Sequence, residues 1–113
     1  MKPKQPRTHV LMFRRRFVPL IESGDKCQTY RPPRKRRIVP GDRLSLRCWE
    51  GVAYRSKHRE IMEVECTSVE PVTITVGSIT YAMAVLDGFT TRNDMIDYFD
   101  LPFEGILIRW RKL

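Results

Sequence analysis

The chain has 113 residues, which is enough for one hydrophobic core but too short for two domains. Hydrophobic residues make up 42% of the chain and charged residues 30%, as in an ordinary globular protein. No apolar run approaches the roughly 20 residues that span a membrane, and the polar start MKPKQPRTH lacks the apolar centre of a signal peptide. We therefore expect no membrane association.

The cysteines and histidines offer little from which to build a cross-linked or metal-bound fold. The three cysteines (Cys27, Cys48 and Cys66) form an odd number without CxxC spacing, so they indicate neither a disulfide framework nor a zinc site. The two histidines, His9 and His58, are isolated from one another. We expect no metal ion and no cofactor, and we expect the protein to reside in a reducing cytoplasm.

The charge of the chain points to its possible partners. There are 21 Lys and Arg residues against 13 Asp and Glu residues, a formal net charge of +8. A surface with this excess attracts polyanions through long-range, salt-sensitive forces. The run RPPRKRR, residues 31–37, places five positive charges within seven residues. This run is either a solvated basic surface or part of a nucleic-acid interface.

The first part of the chain predicts an arm, a strand and a helix. We expect residues 1–7 to be a flexible basic arm and residues 8–113 to form a single domain. HVLMF, residues 9–13, predicts a short buried strand. RRFVPLIESG, residues 15–24, has apolar residues at helical spacing and predicts a helix of about two turns. Gly24 is suited to ending that helix in the left-handed conformation.

The middle of the chain alternates between apolar and polar residues, as strands do. VPGD, residues 39–42, predicts a turn, because proline fixes one corner and glycine frees the next. RLSLRCW, residues 43–49, predicts a strand with an apolar inner face and a cationic outer face. EGVAYRSKHRE, residues 50–60, predicts an exposed basic hairpin loop. IMEVECTSV, residues 61–69, and VTITV, residues 72–76, predict two further strands.

The end of the chain predicts one more helix and a closing strand. TTRNDMIDYF, residues 90–99, has Thr91 as a helix N-cap, with Asp94 three residues later. GILIRWRKL, residues 105–113, alternates as a strand. Strands outnumber helices, so we expect an α+β fold. A small antiparallel β-barrel or strongly curled sheet, with two or so short helices covering its ends, would avoid exposed edges.

Lys26, Thr29 and Arg31 form the most distinctive group of polar residues. Thr29 and Arg31 share a face if they lie on one strand, and a turn at Gly24 would bring Lys26 to the same place. Pro32 favours an extended conformation for Arg31. Such a group can hold a phosphate or a base edge. It can also activate a threonine hydroxyl through a deprotonated lysine. A further alternative is that the three side chains are solvated in a loop and have no shared role.

The segment GDKCQTYR, residues 24–31, resembles the GxKxxTxR signature of the ASCH domain family. Three further segments resemble that family's pattern in the same order: PGDRLSLRCW (40–49), LDGFTTRNDMIDYF (86–99) and EGILIRW (104–110). The resemblance covers residues 9–112. It implies a fold related to the PUA domain, a compact β-barrel used in RNA recognition. It also implies a cleft in which the signature residues face the segment around Asp87.

The resemblance also implies a possible activity. Some members of the family are amidohydrolases that remove the acetyl group from N4-acetylcytidine, with the signature lysine and threonine acting alongside a glutamate. Lys26 and Thr29 match, as base and nucleophile, while the glutamate position falls on Asp87, which is one methylene shorter. A misplacement of about 1 Å can lower a rate on the order of 10²-fold. Alternatively, Asp87 only orders the loop before the helix at Thr91.

The binding interpretation uses more of the basic residues. We expect a positive rim around the cleft, formed with Arg31 by Arg34, Lys35, Arg36, Arg37, Arg43, Arg47, Arg55 and Lys57. Trp49 and Tyr54 offer stacking surfaces for unpaired bases, although Trp49 alternatively packs over the mouth of the barrel.

The sequence therefore predicts a protein that binds RNA or a modified nucleoside. The first alternative is an amidohydrolase acting on N4-acetylcytidine, with Thr29 as nucleophile, Lys26 as base and Asp87 as the proton-handling acid. A ribonuclease is a weaker alternative because no pair of histidines is placed for it. A regulatory module that recognises a protein or a small ligand is also possible. The sequence gives no indication of the oligomeric state.

Overall fold

A computed structural model describes residues 6–113 of the chain, which form an α+β fold. The strands are β1 (Thr8–Phe13), β2 (Gln28–Arg31), β3 (Arg43–Trp49), β4 (His58–Ile74) and β5 (Phe103–Lys112). The α-helices are α1 (Val18–Ser23), α2 (Tyr81–Leu86) and α3 (Arg92–Tyr98), with single 3-10 turns at Arg15–Phe17 and Val76–Ser78. Within the described part of the chain, no helix is long and apolar enough to cross a membrane.

All five strands belong to one mixed sheet with the order β1-β3-β4-β5-β2. β1 runs parallel to β3, and the other neighbours are antiparallel. The parallel pair requires a crossover connection, and this connection contains α1 and β2, which follow β1 and precede β3 in the sequence. The sheet curls so that its two edge strands approach each other, since Arg31 Nη2 of β2 donates a hydrogen bond of 2.6 Å to the Met12 carbonyl of β1.

The sheet is not closed into a barrel, so that part of the predicted architecture is corrected. Between residues 6 and 113, no backbone ladder joins β1 to β2. β2 has only four residues and is followed directly by Pro32 and Pro33. Proline has no backbone N–H, so the ladder cannot continue beyond Arg31. A side-chain hydrogen bond therefore takes the place that backbone pairing would have in a closed barrel.

The core follows from the alternating pattern of the strands. Inward-facing residues of β1, β3, β4 and β5 are almost completely buried, among them Leu11, Leu44, Leu46, Val64 and Ile108. The predicted strands at residues 9–13, 43–49 and 105–113 are confirmed within a few residues at each end. Burial of the inner faces is the main source of stability for such a sheet.

The two strands predicted at residues 61–69 and 72–76 are a single strand of 17 residues. A shift in register between Cys66 and Ser68 lets this strand bend. β4 pairs with β3 only up to Glu65, and it pairs with β5 alone from Cys66 onwards. Pro71 is therefore tolerated, because one side of β4 has no ladder at that point.

The predicted ends of two helices are confirmed. Gly24 ends α1 with a φ of 88°, in the left-handed region that glycine enters without strain. Thr91 is the N-cap of α3, and its side chain accepts a hydrogen bond of 3.0 Å from the amide of Asp94. The sequence did not predict α2, which is capped by Thr80 and buries only Ala84.

The start of the described chain is held by Asp42. Of the predicted basic arm, residues 1–5 lie outside the described residues, whereas the Arg7 amide donates to the Asp42 carboxylate at 3.3 Å. The same carboxylate accepts hydrogen bonds from His9 Nε2 at 2.9 Å and from the Val39 amide at 3.2 Å. Burial acts to raise the pKa of Asp42, but these hydrogen bonds outweigh it and lower the pKa. Asp42 thus joins the predicted turn, in which Gly41 has a φ of 95°, to β1.

A test of the fold is available at Gly105, where β5 passes the end of β2. A Cβ atom on Gly105 would lie 2.3 Å from the Arg31 carbonyl oxygen and 2.7 Å from the Phe103 ring. We expect Gly105→Ala to lower the free energy of unfolding by about 3 kcal/mol, because β2 would have to move away from β5. Urea denaturation monitored by circular dichroism measures this change.

Gly77→Ala is the matched control for that experiment. A Cβ atom at Gly77 would meet no described atom within 4 Å, and the residue does not have a left-handed φ. Its free energy of unfolding should change by less than about 1 kcal/mol. Equal effects of the two substitutions would contradict the close approach of β2 and β5.

Candidate functional site

A cavity of about 410 Å³ opens between the two edges of the curled sheet and the helices. We call it the site cavity. Four of its polar residues come from β2 and the loops before β2 and after α2: Lys26, Thr29, Arg31 and Asp87. Its aromatic wall is formed by Phe13, Phe17, Phe89, Tyr98, Phe99 and Phe103. The three residues of the sequence signature and the predicted carboxylate are therefore brought together in one place.

Lys26 is placed by the way the chain leaves α1. Gly24 turns the chain, and the Lys26 amide then donates a hydrogen bond of 3.0 Å back to the Leu20 carbonyl. The next carbonyl, that of Cys27, accepts from the Trp110 amide of β5 at 3.1 Å. With its backbone held on both sides, the Lys26 side chain points inward and is only 2% exposed. A lysine this deeply buried is unusual and needs a partner.

Asp87 is that partner. Its Oδ1 atom lies 3.1 Å from Lys26 Nζ, and its backbone carbonyl also accepts a hydrogen bond from the same amine. The carboxylate is 3% exposed and sits at the C-terminal end of α2. Although aspartate is one methylene shorter than glutamate, it reaches the lysine because its backbone comes close as well.

Gly88 makes this close approach possible. Its φ of 94° is in the left-handed region, and a Cβ atom there would lie 3.0 Å from the Phe17 ring and 3.2 Å from Lys26 Cδ. A side chain would therefore push the Asp87 segment away from the lysine. Gly88 is thus needed both for its conformation and for its small size.

The Lys26–Asp87 pair has shifted proton affinities. Burial lowers the pKa of Lys26, and the attraction of Asp87 opposes this shift only in part. Burial likewise raises the pKa of Asp87 against the attraction of Lys26. The two pKa values are therefore moved towards each other, which makes transfer of a proton within the pair easier than between the same groups in water. The Phe17 ring, 4.7 Å from the amine, also faces the positive charge.

Thr29 and Arg31 share one face of β2, as their spacing predicts. Arg31 Nε donates a hydrogen bond of 3.2 Å to Thr29 Oγ1, and the guanidinium lies 4.7 Å from the centre of the Phe13 ring. Burial lowers the pKa of Arg31, but a guanidinium remains charged. The hydroxyl oxygen of Thr29 is consequently held beside a fixed cation, which would stabilise negative charge on that oxygen.

The aromatic wall is held in place by α3 and by Arg16. The Phe17 ring meets the Phe89 and Tyr98 rings edge-on, at 5.5 and 5.8 Å between centroids. Arg16 Nη1 donates to Asp94 Oδ1 at 3.1 Å, and Nη2 donates to Oδ2, which connects the 3-10 turn to the first turn of α3. These hydrogen bonds lower the pKa of Asp94 to about 2. The carboxylate therefore stays ionised well below the usual titration range of an aspartate.

Trp49 and Tyr54 lie at the open side of the site cavity. Their rings are 5.2 Å apart between centroids, and Tyr54 is 90% exposed. Tyr54 also has a φ of 63°, which is uncommon for a residue other than glycine. Trp49 is half-buried at the end of β3, lines the cavity and packs against Tyr54 and His58, while its predicted stacking on a base stays a prediction.

The other predicted basic residues are not grouped around the site cavity. Arg34, Lys35 and Arg37 line a second concave surface, and Arg36 is exposed outside both. Arg55 and Lys57 are exposed in the loop between β3 and β4, but they do not line the cavity.

The two arginines predicted on β3 also lie away from the cavity lining. Arg43 is half-buried, with its amide bonded to the Arg7 carbonyl. Arg47 donates from Nε to His58 Nδ1 at 2.6 Å. The cation that does line the cavity besides the signature residues is Arg14, which lies 5.2 Å from the Tyr98 ring centre and was missed from the sequence. Its position directly after β1 was the available signal.

In the described part of the chain, no group of three or more His, Cys, Asp or Glu residues is placed to hold a metal ion. All three cysteines are free thiols, with Cys27 exposed and the other two buried. In comparisons with known proteins, no family model, curated protein or solved structure matches this chain.

The buried pair can be tested through stability. Lys26→Met leaves the Asp87 carboxylate buried without its cation, and we expect it to lower the free energy of unfolding by about 3 kcal/mol at neutral pH. The double variant Lys26→Met/Asp87→Asn should recover much of this loss, because no isolated charge remains. A double-mutant cycle by chemical denaturation, with Asp87→Asn as the second single variant, measures the coupling.

The pH dependence gives a second measurement on the same variants. In Lys26→Met the folded-state pKa of Asp87 rises further above its unfolded value, so the carboxyl favours folding at low pH and this contribution is lost as pH rises through the folded pKa. The deficit of Lys26→Met should therefore shrink on acidification, while the double variant lacks this dependence. Parallel pH profiles for wild type and Lys26→Met would contradict a buried ion pair.

Proposed function

We propose that this chain is an ASCH-domain protein, related in fold to the PUA domain, that binds an unpaired base of RNA or a modified nucleoside in the site cavity. The observation that carries the proposal is the buried Lys26–Asp87 pair at the side of an aromatic-walled cavity. A nucleobase has a flat apolar face and an edge of hydrogen-bond donors and acceptors. The aromatic wall suits the face, and the amine, guanidinium and carboxylate suit the edge.

The placement of the resembling segments supports membership of the ASCH family. The segment 24–31 contributes Lys26, Thr29 and Arg31 to the cavity, and the segment 86–99 contributes Asp87 and the aromatic residues Phe89, Tyr98 and Phe99. The segment 40–49 ends in Trp49 at the open side, while 104–110 pairs with β2. Three of the four segments therefore contribute lining residues to one cavity, and the fourth pairs with the strand that carries Thr29 and Arg31.

Tyr54 provides a direct test of base binding. Stacking of a base on an aromatic side chain contributes about 1–3 kcal/mol, so Tyr54→Ala should weaken binding of cytidine, N4-acetylcytidine or an unpaired oligonucleotide about tenfold. Tyr81→Ala is the matched control, because Tyr81 is an exposed tyrosine of α2 outside the cavity lining. Binding is measured by calorimetric titration. Identical affinities of the two variants, or no binding by the wild type, would count against the proposal.

The second candidate is an amidohydrolase acting on N4-acetylcytidine, and it is favoured by the contact between Arg31 Nε and Thr29 Oγ1. In this reaction a neutral Lys26 takes the Thr29 proton, and the threonine oxygen attacks the acetyl carbon. The C–N bond then breaks, and the cytidine amine leaves with a proton supplied by the Lys26–Asp87 pair. Water hydrolyses the acetyl–threonine ester to acetate. In the structure Lys26 Nζ donates hydrogen bonds to Asp87, so the amine must turn towards Thr29 before it can take the proton.

Acetate release from N4-acetylcytidine tests this second function. Thr29→Val should abolish turnover while leaving affinity within a few-fold of wild type, whereas Thr29→Ser keeps the hydroxyl and should retain part of the rate. Because the neutral amine is required, the wild-type rate should rise with pH through the lowered pKa of Lys26. Binding without turnover would leave recognition as the function, and turnover by Thr29→Val would exclude this threonine as the nucleophile.

The same assays test the two weaker alternatives, a ribonuclease and a regulatory module. Cleavage of the oligonucleotide during titration would indicate a ribonuclease, in which Lys26 assists the reaction. An intact cavity that binds neither nucleosides nor RNA would favour a regulatory module for a protein or small ligand. The location in the cytoplasm remains a prediction from the sequence.

A further inference from the structure

A second concave surface, which we call the basic groove, lies beside the site cavity. It encloses about 480 Å³ between the connection after β2 and the strands β4 and β5. Its floor is aliphatic, with Ile38, Val39, Val69, Pro71 and Ile106, and its cations are Arg34, Lys35 and Arg37. The groove therefore combines an apolar surface with a row of positive charges.

The charges of the basic groove are available to an external anion. Two arginines of β5 show the contrast, since Arg109 is paired with Glu70 at 3.1 Å and Arg111 with Glu65 at 2.6 Å. Of the described residues that line the groove, none is acidic. Between residues 6 and 113, no carboxylate forms an ion pair with any residue of the run 34–37. Such unneutralised charges close together repel each other and favour a polyanion.

The basic groove and the site cavity are lined by consecutive residues of the chain. Pro32 lines the cavity and the next residue, Pro33, lines the groove, so the two surfaces are neighbours along the chain. Burial lowers the pKa of Arg31, and the positive charge of Arg34 acts in the same direction. A ligand with one unit in the cavity can extend along the groove only if it is a polymer.

We propose that the basic groove binds the sugar–phosphate backbone of a single-stranded RNA whose neighbouring base occupies the site cavity. This inference rests on the proposed function and makes it more specific, since it names a polymer rather than a free nucleoside as the preferred ligand. Arg34, Lys35 and Arg37 contact phosphates, and the aliphatic floor contacts the sugars.

The chemistry of the two surfaces favours RNA over an acidic peptide. Aromatic residues are concentrated in the site cavity, whereas the residues that line the groove within the described chain include none. Base stacking is therefore possible in the cavity, and backbone contacts alone are expected in the groove. A base that enters the cavity must be unpaired, so the strand is single there.

Two adjacent arginines provide a matched test. Arg37 lines the groove, whereas Arg36 is exposed and does not, so Arg36→Glu and Arg37→Glu change the net charge equally. We expect Arg37→Glu to weaken binding of an unstructured oligonucleotide of about eight residues roughly tenfold more than Arg36→Glu does. The slope of log affinity against log salt should also fall by about 0.7 for each lost phosphate contact. Both variants should bind cytidine as the wild type does.

The outcomes separate the inference from the proposed function. One outcome is that Tyr54→Ala weakens oligonucleotide binding while Arg36→Glu and Arg37→Glu have equal effects. In that case the site cavity binds RNA, and the proposed path of the backbone through the groove is wrong. If the wild type binds neither cytidine nor the oligonucleotide, both proposals fail. Polyglutamate that binds as tightly as the oligonucleotide, with the same sensitivity to Arg37→Glu, would identify the groove as an acidic-peptide site instead. A wild-type affinity for the oligonucleotide that does not exceed that for cytidine would also overturn the inference.

Discussion

The burial of Lys26 against Asp87 is the interaction on which the rest of the site depends. Removing both charges from water is unfavourable, and the pair persists only because its geometry gives the amine a carboxylate and a carbonyl together. That geometry requires a left-handed glycine on each side of it, at Gly24 before the lysine and at Gly88 after the aspartate. α1, α2 and β2 are thereby fixed relative to one another around one pair of side chains.

The site cavity exists because the sheet curls without closing. A ladder between β1 and β2 would fill the space between the sheet edges with backbone. Arg31 instead connects the edges through its side chain, with Met12 accepting at one end of the guanidinium and Thr29 at the other. The same residue therefore supports the fold and faces the site.

The sequence predicted those parts of the structure that depend on local patterns. Alternation predicted β3, a left-handed glycine predicted the end of α1, and Thr91 predicted the start of α3. The spacing of Lys26, Thr29 and Arg31, with a turn at Gly24, allowed them to converge but also allowed them to be solvated in a loop, and the structure brings all three to one cavity. α2 was missed because six residues with one buried side chain carry no readable period.

Other parts depend on contacts between distant segments. The two predicted strands form the single strand β4, because β3 pairs with its first part and β5 with its second part. Local alternation in the sequence does not show which strands will pair, or over what length. The division of the basic residues between two surfaces depends on where the connection after β2 crosses the sheet. For the same reason, the aromatic wall, which is built from β1, the Phe17 turn, α3 with the residues before and after it, and β5, had no single signature in the sequence.

The narrow space at Gly105 has a consequence for recognising related proteins. Because an atom at the Cβ position would meet the Arg31 carbonyl at 2.3 Å, this arrangement of β2 and β5 restricts the position to glycine. Gly88 is restricted in the same way by its conformation and by the Phe17 ring. A glycine at each of these two places, together with the lysine, threonine, arginine and aspartate, makes a six-residue filter that is set by geometry. Sequences too divergent for alignment by overall similarity can be screened with it.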